Sequence, residues 1–173
     1  MSETALNRKS GESKKKAKDE GLLGKFYDQS FYVLHYQPGR TLDFPFRSQP
    51  FNAFISINNE YPTKIISQMA FSLLKQGMRF ALCHGERAEA MAEIIDRLID
   101  DFHFIHNGFT VYSSSHPNED LEEAMEYFIL PNGLAETGLI LVLGDAIALQ
   151  KAMKTFAKIT SALSAATSIA SAK

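Results

Sequence analysis

The sequence has one cysteine among its 173 residues, and this scarcity excludes an internal disulfide framework. A lone thiol suits a reducing compartment, so we predict a cytoplasmic location. No stretch reaches the roughly 18 apolar residues that a membrane-spanning helix needs, so no membrane association is predicted. The lysine-rich start of the chain lacks an apolar segment, which is not the pattern of a secretory signal.

Glycine-rich loops with the spacing of nucleotide-binding motifs are also missing. The chain contains neither a GxGxxG fingerprint nor a GxxxxGK[ST] loop. Gly85 and Gly144 each precede a predicted helix, and helix N-termini favour anions. However, Glu86 and Asp145 follow these glycines directly and already place negative charge there. Asp145 is also the predicted N-cap of the last helix. The motifs therefore predict no cofactor.

Charge is distributed unevenly along the chain, although the net charge is only −2. Residues 1–59 carry nine Lys or Arg and six Asp or Glu, residues 60–136 carry five and thirteen, and residues 137–173 carry four and one. The acidic middle would repel phosphate groups, so nucleic-acid binding by the core is not expected.

Residues 1–20 contain few apolar side chains and a run of three lysines at positions 14–16. Such a segment cannot bury enough apolar surface to offset the entropy of ordering, so we predict a disordered tail. Two interpretations of this tail remain: an electrostatic tether to an acidic partner or to RNA, or a solvated segment that only aids solubility.

The remaining sequence alternates between apolar strands and amphipathic helices. Strands are predicted over residues 31–36, 52–57, 80–83, 109–112 and 139–143, and helices begin near residues 62, 86, 118 and 145. Three prolines between residues 37 and 51 exclude a helix between the first two strands. The first strand is therefore predicted to be an antiparallel or edge strand, with a short strand near Leu42 to Phe46.

The β-α alternation from residue 52 onward predicts a three-layer α/β fold of the flavodoxin-like or Rossmann-like kind. Its sheet would be mostly parallel, with about five strands and with helices on both faces. A single domain is expected over residues 26–160. The Ala- and Ser-rich residues 161–173 are expected to form a helical extension or a tail.

Polar side chains recur where the predicted strands end. Because the carboxyl ends of parallel strands meet at one edge of a sheet, this edge is the candidate ligand site. The candidate ligand-binding residues are Asn58, His84, Glu86, Ser113, Ser115, His116 and Asp145. His35 joins them if the first strand is parallel.

The candidate catalytic residues are His84, Cys83 and Glu93. Adjacent strand residues point to opposite faces, so Cys83 and His84 cannot pair unless the turn reorients them. Cys83 also continues an apolar run, which favours a buried core cysteine. A metal could find usable ligand types in His84 and His116 with Cys83 or Asp145, but their spacing is not specific and no metal site is predicted.

The strand Phe54-Ile55-Ser56, the helix that ends at Gly77 and the strand Phe80-Ala81-Leu82-Cys83 together resemble the opening of a TIR-type domain. In the enzymatic members of that family, a glutamate on the following helix supports cleavage of NAD. The resemblance implies Glu93 as the corresponding residue, with Glu89 as the other choice. It covers residues 54–93, and the polar face of an amphipathic helix also accounts for Glu93.

Two functions remain open. The first is an interaction or regulatory module without catalysis, which the absence of a strong catalytic motif favours. Its partner, or a second copy of the chain, would bind the apolar stripe of the last helix, although the same stripe could cover its own sheet. That stripe consists of Leu149, Phe156, Ile159 and Leu163. The second is a small domain that binds nucleotides or NAD, or cleaves NAD, at the carboxyl edge of the sheet.

Overall fold

A computed structural model describes residues 21–103, 105–106, 109–131 and 133–170. The strands are β1 (Gly21–Phe26), β2 (Gln29–Tyr36), β3 (Phe51–Ile57), β4 (Met78–His84), β5 (Ile105–His106), β6 (Phe109–Thr110), β7 (Tyr112–His116) and β8 (Thr137–Leu143). The helices are α1 (Thr63–Gln76), α2 (Ala88–Phe102), α3 (Leu121–Ile129) and α4 (Ala146–Ala170). The predicted tail, residues 1–20, lies outside the described residues.

Six strands form one sheet in the order β1-β2-β8-β3-β4-β7, and β5 pairs with β6 in a separate two-stranded sheet. The five strands from β2 to β7 are mutually parallel, and β1 pairs antiparallel with β2. The predicted mostly parallel α/β sheet is therefore confirmed. The sequence interpretation missed β1 and β5. Its strand over residues 109–112 covers β6 and the first residue of β7, so Ser113, Ser115 and His116, which were expected to follow that strand, lie within β7.

The central strands β3 and β8 are buried along their whole length. Their nearly continuous apolar sequences suit strands that are covered on both faces. Alternate residues enter two separate cores. The first core contains Ile55, Leu73, Met91 and Leu141, among others. The second core contains Phe31, Phe54, Phe128 and Phe156, among others.

The helices cover both faces of the sheet and complete three layers. α1 and α2 pack on the first core, and α3 and α4 pack on the second. From β3 through β4 to β7 the chain moves toward one edge, and from β7 to β8 it returns. Because crossover connections keep one hand, the return connection through α3 must use the opposite face.

The first predicted strand differs from expectation. β2 is parallel to β8, and β1 covers its other side, so it is neither antiparallel to β8 nor an edge strand. No strand forms near Leu42 to Phe46. Instead, the Phe46 ring packs 5.2 Å from the ring of Phe51, at the start of β3. Prolines exclude a helix here, but an extended segment packed on the first core can still carry the chain to a parallel strand.

The last helix uses its apolar stripe within its own chain. Leu149, Phe156 and Ile159 are buried in the second core, and the partly buried Leu163 packs against it. The stripe therefore covers its own sheet, and three of its four side chains, those of Leu149, Phe156 and Ile159, are buried there. Among the described residues, not even the 25-residue α4 has an apolar stretch long enough to cross a membrane.

Candidate functional site

The strand ends place the predicted site residues in two groups at the carboxyl edge of the sheet. His84 and His116 lie opposite each other at the ends of β4 and β7. On the other side of the sheet, the parallel β2 brings His35 to the end of β8, where its Nε2 lies 2.8 Å from the carbonyl oxygen of Gly144. Most polar side chains at this edge contact other parts of the chain.

His84 is held by packing and by one hydrogen bond. Its ring stacks on Phe54 with centroids 5.7 Å apart, and its Nε2 lies 3.0 Å from the carbonyl oxygen of Glu119. Only 9% of the residue is exposed. The side chain therefore anchors the loop before α3, while its Nδ1 is buried without a hydrogen-bond partner in the described part of the chain.

Cys83 points to the opposite face and is fully buried in the first core. The two side chains therefore cannot form a nucleophile–base pair. Burial raises the pKa of the Cys83 thiol far above its ordinary value of 9.0, and the charge of Asp96 raises it further. A thiol that stays protonated is a poor nucleophile.

The serines and the second histidine also have partners. Ser113 Oγ donates a 2.6 Å hydrogen bond to Asp96 Oδ1, which joins β7 to α2. His116 lies between Ser114 Oγ, 3.0 Å from its Nε2, and Glu119 Oε1, 2.8 Å from its Nδ1. Ser115 is exposed.

Two of the remaining candidates, Asp145 and Asn58, accept hydrogen bonds from backbone amides near the strand ends. Asp145 Oδ1 accepts a 2.8 Å hydrogen bond from the Ala148 amide, so the predicted N-cap of the last helix is confirmed. Asn58 Oδ1 accepts a 3.4 Å hydrogen bond from the Glu86 amide. The side chain of Glu86 is exposed.

The two glutamates implied by the TIR resemblance lie on the exposed side of α2. Glu89 and Glu93 are exposed on α2. They share one side of the helix with Asp96, because residues spaced three and four apart lie on the same side. Within the described parts of the chain, no three His, Cys, Asp or Glu side chains are placed to hold a metal ion.

Two cavities flank the sheet at its opposite edges. The carboxyl-edge cavity, about 310 Å³, lies between the end of β3 and helices α1 and α2, with Asn59, Thr63 and Arg87 in its lining. Arg87 forms an ion pair with Glu60 there. The amino-edge cavity, about 580 Å³, lies where β2, β4 and β8 begin, and its lining includes Gln29, Arg79 and Thr137. Sequence reasoning missed the amino-edge cavity.

A third feature is the surface around β7, which is the edge strand of the sheet at the end opposite β1. Two exposed aromatic side chains lie here: Tyr112 of β7 itself (56% exposed) and Tyr127 (62%), whose ring lies 6.2 Å from that of His116. Acidic side chains lie on both sides, because Asp96 of α2 accepts from Ser113 and Glu119 contacts His116. We call this the β7 edge surface: β7 with Tyr127 and the acidic residues Glu93, Asp96, Asp100, Glu119 and Glu123.

Together these features define an α/β domain whose mostly parallel sheet lies between two layers of helices. Residues 31–146 match the family described as Domain of unknown function (DUF7684), and the chain belongs to this family. The match runs from within β2 to the first residue of α4, and it includes the whole of β3, β4, β7 and β8. No curated protein matches the chain.

Proposed function

We propose that this domain is an interaction module that binds a basic, extended peptide of a partner protein along the β7 edge surface. The observation that carries the proposal is an open strand edge flanked by acids and aromatics. No strand pairs with the far side of β7 within the described ranges. A strand edge of this kind presents free N–H and C=O groups that an added peptide strand can pair with.

The surroundings of β7 select the chemistry of the peptide. On α2, Glu93, Asp96 and Asp100 recur at helical spacing, and Ser113 donates to the middle one of these. The stripe therefore runs beside β7 on one face of the sheet. On the other face, His116 contacts Glu119 and lies 6.2 Å, centroid to centroid, from Tyr127.

Side chains of an added strand alternate between these two faces. Lysine or arginine at successive positions would meet carboxylates on either face, and the exposed tyrosine rings would cover their aliphatic stems. Protected edge strands commonly carry lysine or proline, and β7 (YSSSH) has neither. An acidic peptide would be repelled, so charge complementarity selects a basic one.

The test is fluorescence anisotropy with labelled heptapeptides in which pairs of adjacent lysines, or pairs of adjacent glutamates, are separated by single threonines, so that charged side chains reach both faces. We expect only the lysine peptide to bind, and more weakly as salt increases. Ser115→Lys places a like charge on the open edge and should weaken binding roughly tenfold or more. Asp100→Lys should act in the same direction.

The matched control for Asp100→Lys is Asp43→Lys, the same charge change at an exposed position between β2 and β3. Absence of lysine-peptide binding, or an equal loss with Asp43→Lys, would reject the proposal. A concentration-dependent dimer that Ser115→Lys abolishes would replace the peptide with a second copy of the chain.

A nucleotide- or NAD-binding function is the second candidate, and the carboxyl-edge cavity favours it. The cavity lies at the start of α1, where Pro62 provides no side-chain cap and the first turn has no acidic residue. The nearby Arg87 adds a positive charge, although Glu60 already pairs with it. Such a helix start favours phosphate groups.

Calorimetric titration with NAD and ADP tests this candidate, and chromatography of NAD after incubation tests cleavage. Binding that is lost in Arg87→Gln would support it, and turnover that is lost in Glu93→Gln would support the residue implied by the TIR resemblance. Absence of both signals with the folded protein would exclude the candidate.

The proposal includes a finer fold type and a location. When the five parallel strands are numbered along the chain, their order across the sheet is 1-5-2-3-4, whereas the order in flavodoxin-like sheets is 2-1-3-4-5. Helices on both faces and a return of the chain across the sheet support a doubly wound, Rossmann-like type in spite of that difference.

A cytoplasmic location is supported by the single thiol of Cys83, and cell fractionation tests it.

A further inference from the structure

A third cavity, of about 290 Å³, lies beside the first core, between α1 and the connection from β2 to β3. We call it the α1 cavity. Its lining includes Ile65 and Met69 of α1, Arg40 and Leu42 of the connection, and Tyr36, the last residue of β2. The irregular connection that follows β2 therefore borders α1 with a cavity instead of a packed contact between two helices.

A tight turn fixes the position of Arg40 at this cavity. The Arg40 amide donates a 3.1 Å hydrogen bond to the Gln37 carbonyl oxygen, and Gly39 has a φ of 83°. Proline at the second position and a left-handed glycine at the third are typical of a type II turn, and Pro38 and Gly39 occupy these positions. Because the proline ring and the hydrogen bond restrict the backbone, the turn holds Arg40 beside the cavity.

The surroundings of the α1 cavity carry positive charge. Arg40 is the charged residue in the lining, and it forms no ion pair with any described residue. The adjacent α1 contains Lys64 and Lys75 and no acidic residue. Asp43 is the nearest carboxylate along the connection, and it does not line the cavity. An anion would therefore be attracted by Arg40 without repulsion from a carboxylate of the lining.

Tyr36 supplies a hydrogen-bond donor to the same cavity. Only 7% of the residue is exposed. Its hydroxyl has no hydrogen-bond partner among the described residues, although it is not closed off from solvent. Burial raises the pKa of the Tyr36 phenol above its ordinary value of 10.0, and the charge of Tyr61 raises it further. The group therefore keeps its O–H donor at neutral pH, and a ligand that accepts from it would satisfy it.

The remaining contacts in the cavity are apolar. Leu42 and Ile65 are partly buried and Met69 is buried, all within or against the first core. An aliphatic chain that lies against them would remove more apolar surface from water. The volume is at the lower end of the range for small-molecule sites, which suits a short chain. One guanidinium matches a singly charged carboxylate better than a doubly charged phosphate.

We propose that the α1 cavity binds a small aliphatic carboxylate. The carboxylate binds the Arg40 guanidinium through parallel N–H donors and accepts a hydrogen bond from the Tyr36 hydroxyl. The aliphatic chain lies against Leu42, Ile65 and Met69. The α1 cavity shares no residue with the β7 edge surface or with the carboxyl-edge cavity. This proposal therefore stands or falls separately from both proposed functions.

The test titrates the full chain with hexanoate up to on the order of 10 mM, a range that would detect Kd values near 1 mM. The readouts are amide chemical-shift changes by NMR and calorimetry. We expect saturable binding, with the largest shifts at the residues that line the α1 cavity. Hexanol, which lacks the carboxylate, and acetate, which lacks the chain, should each bind roughly tenfold more weakly or worse. Inorganic phosphate should also bind more weakly, and phosphate binding at this cavity that equals or exceeds hexanoate binding would overturn the proposal.

Three protein variants complete the design. Arg40→Gln changes an exposed position and should weaken hexanoate binding roughly tenfold or more. Tyr36→Phe keeps the ring, removes the hydroxyl and should weaken binding roughly threefold or more. The matched control is Arg47→Gln, the same change at an exposed position of the same connection outside the lining, and it should bind as the unchanged protein does. Absence of saturable hexanoate binding, unchanged binding in Arg40→Gln or Tyr36→Phe, or an equal loss in Arg47→Gln would overturn the proposal.

Discussion

Substitution of Gly85 by alanine tests whether the turn after β4 is built for close packing within the chain. Gly85 has a φ of +106°, a conformation that residues with side chains adopt at a cost of about 1–3 kcal/mol. An added Cβ would also collide with Asn58 Oδ1 and would lie 2.6 Å from the Ile57 carbonyl oxygen. That oxygen accepts a 3.2 Å hydrogen bond from the Arg87 amide, so it cannot move without loosening the start of α2.

Strain and overpacking together predict that Gly85→Ala lowers the free energy of unfolding by about 2–4 kcal/mol. With a urea m-value of about 2 kcal/mol/M, the unfolding midpoint should fall by roughly 1–2 M. The assay is equilibrium urea unfolding followed by far-UV circular dichroism.

Two further variants separate the causes of this loss. Gly24→Ala is the control, because Gly24 has no atom within 4 Å of an added Cβ and no left-handed φ. In the double variant Asn58→Ala/Gly85→Ala, the collision with the amide disappears while the backbone strain remains, so part of the stability should return. A Gly85→Ala midpoint equal to that of Gly24→Ala would refute the reasoning.

Three other predictions concern the cap of α4 and the buried ionisable groups. Asp145→Ala removes the bond to the Ala148 amide and should lower the free energy of unfolding by about 1 kcal/mol; an unchanged urea midpoint would contradict this. The buried Cys83 thiol should react with a disulfide reagent only after unfolding, and rapid labelling of the folded protein would show the opposite. Because burial raises the pKa of Cys83, the stability should be complete below its ordinary value of 9.0 and decline at higher pH, where the unfolded thiol ionises first. Burial also raises the pKa of Tyr36 from 10.0, so this group adds to the decline above that pH; midpoints that stay constant between pH 8 and pH 10.5 would reject both effects.

The sequence predicted strands and helices correctly where the local apolar pattern agrees with the burial in the fold. The apolar runs in β3 and β8 predicted strands covered on both faces, and both are buried at every residue. The stripe of α1 and the glycine after it predicted that helix, and Gly77 ends it in a left-handed conformation at φ 113°. Asp145 as the cap of the last helix follows from the same kind of local signal.

Pairing partners could not be read from local patterns. β1, with two glycines in GLLGKF, has a weak strand signal and forms by pairing with β2. Three prolines correctly excluded a helix after β2, but they did not determine the direction of β2. That direction depends on residues 37–50 packing across the first core, which is a contact between distant parts of the chain.

The candidate site divides in the same way. The sequence identified the carboxyl edge and its polar residues, but only the tertiary structure revealed that His84 stacks on Phe54 and that Ser113 bonds to Asp96. Both contacts join residues from different elements.

By itself, the sequence determined the mostly parallel α/β class, the helices and the acidic middle, because each follows from periodicity or composition within a short window. Only the tertiary structure decided the insertion of β8 between β2 and β3 and the burial of the α4 stripe. It also decided that Gln29, Arg79 and Thr137 line one cavity. These residues lie far apart in the chain, and which of them meet depends on strand order, a property of long-range pairing that no local pattern encodes.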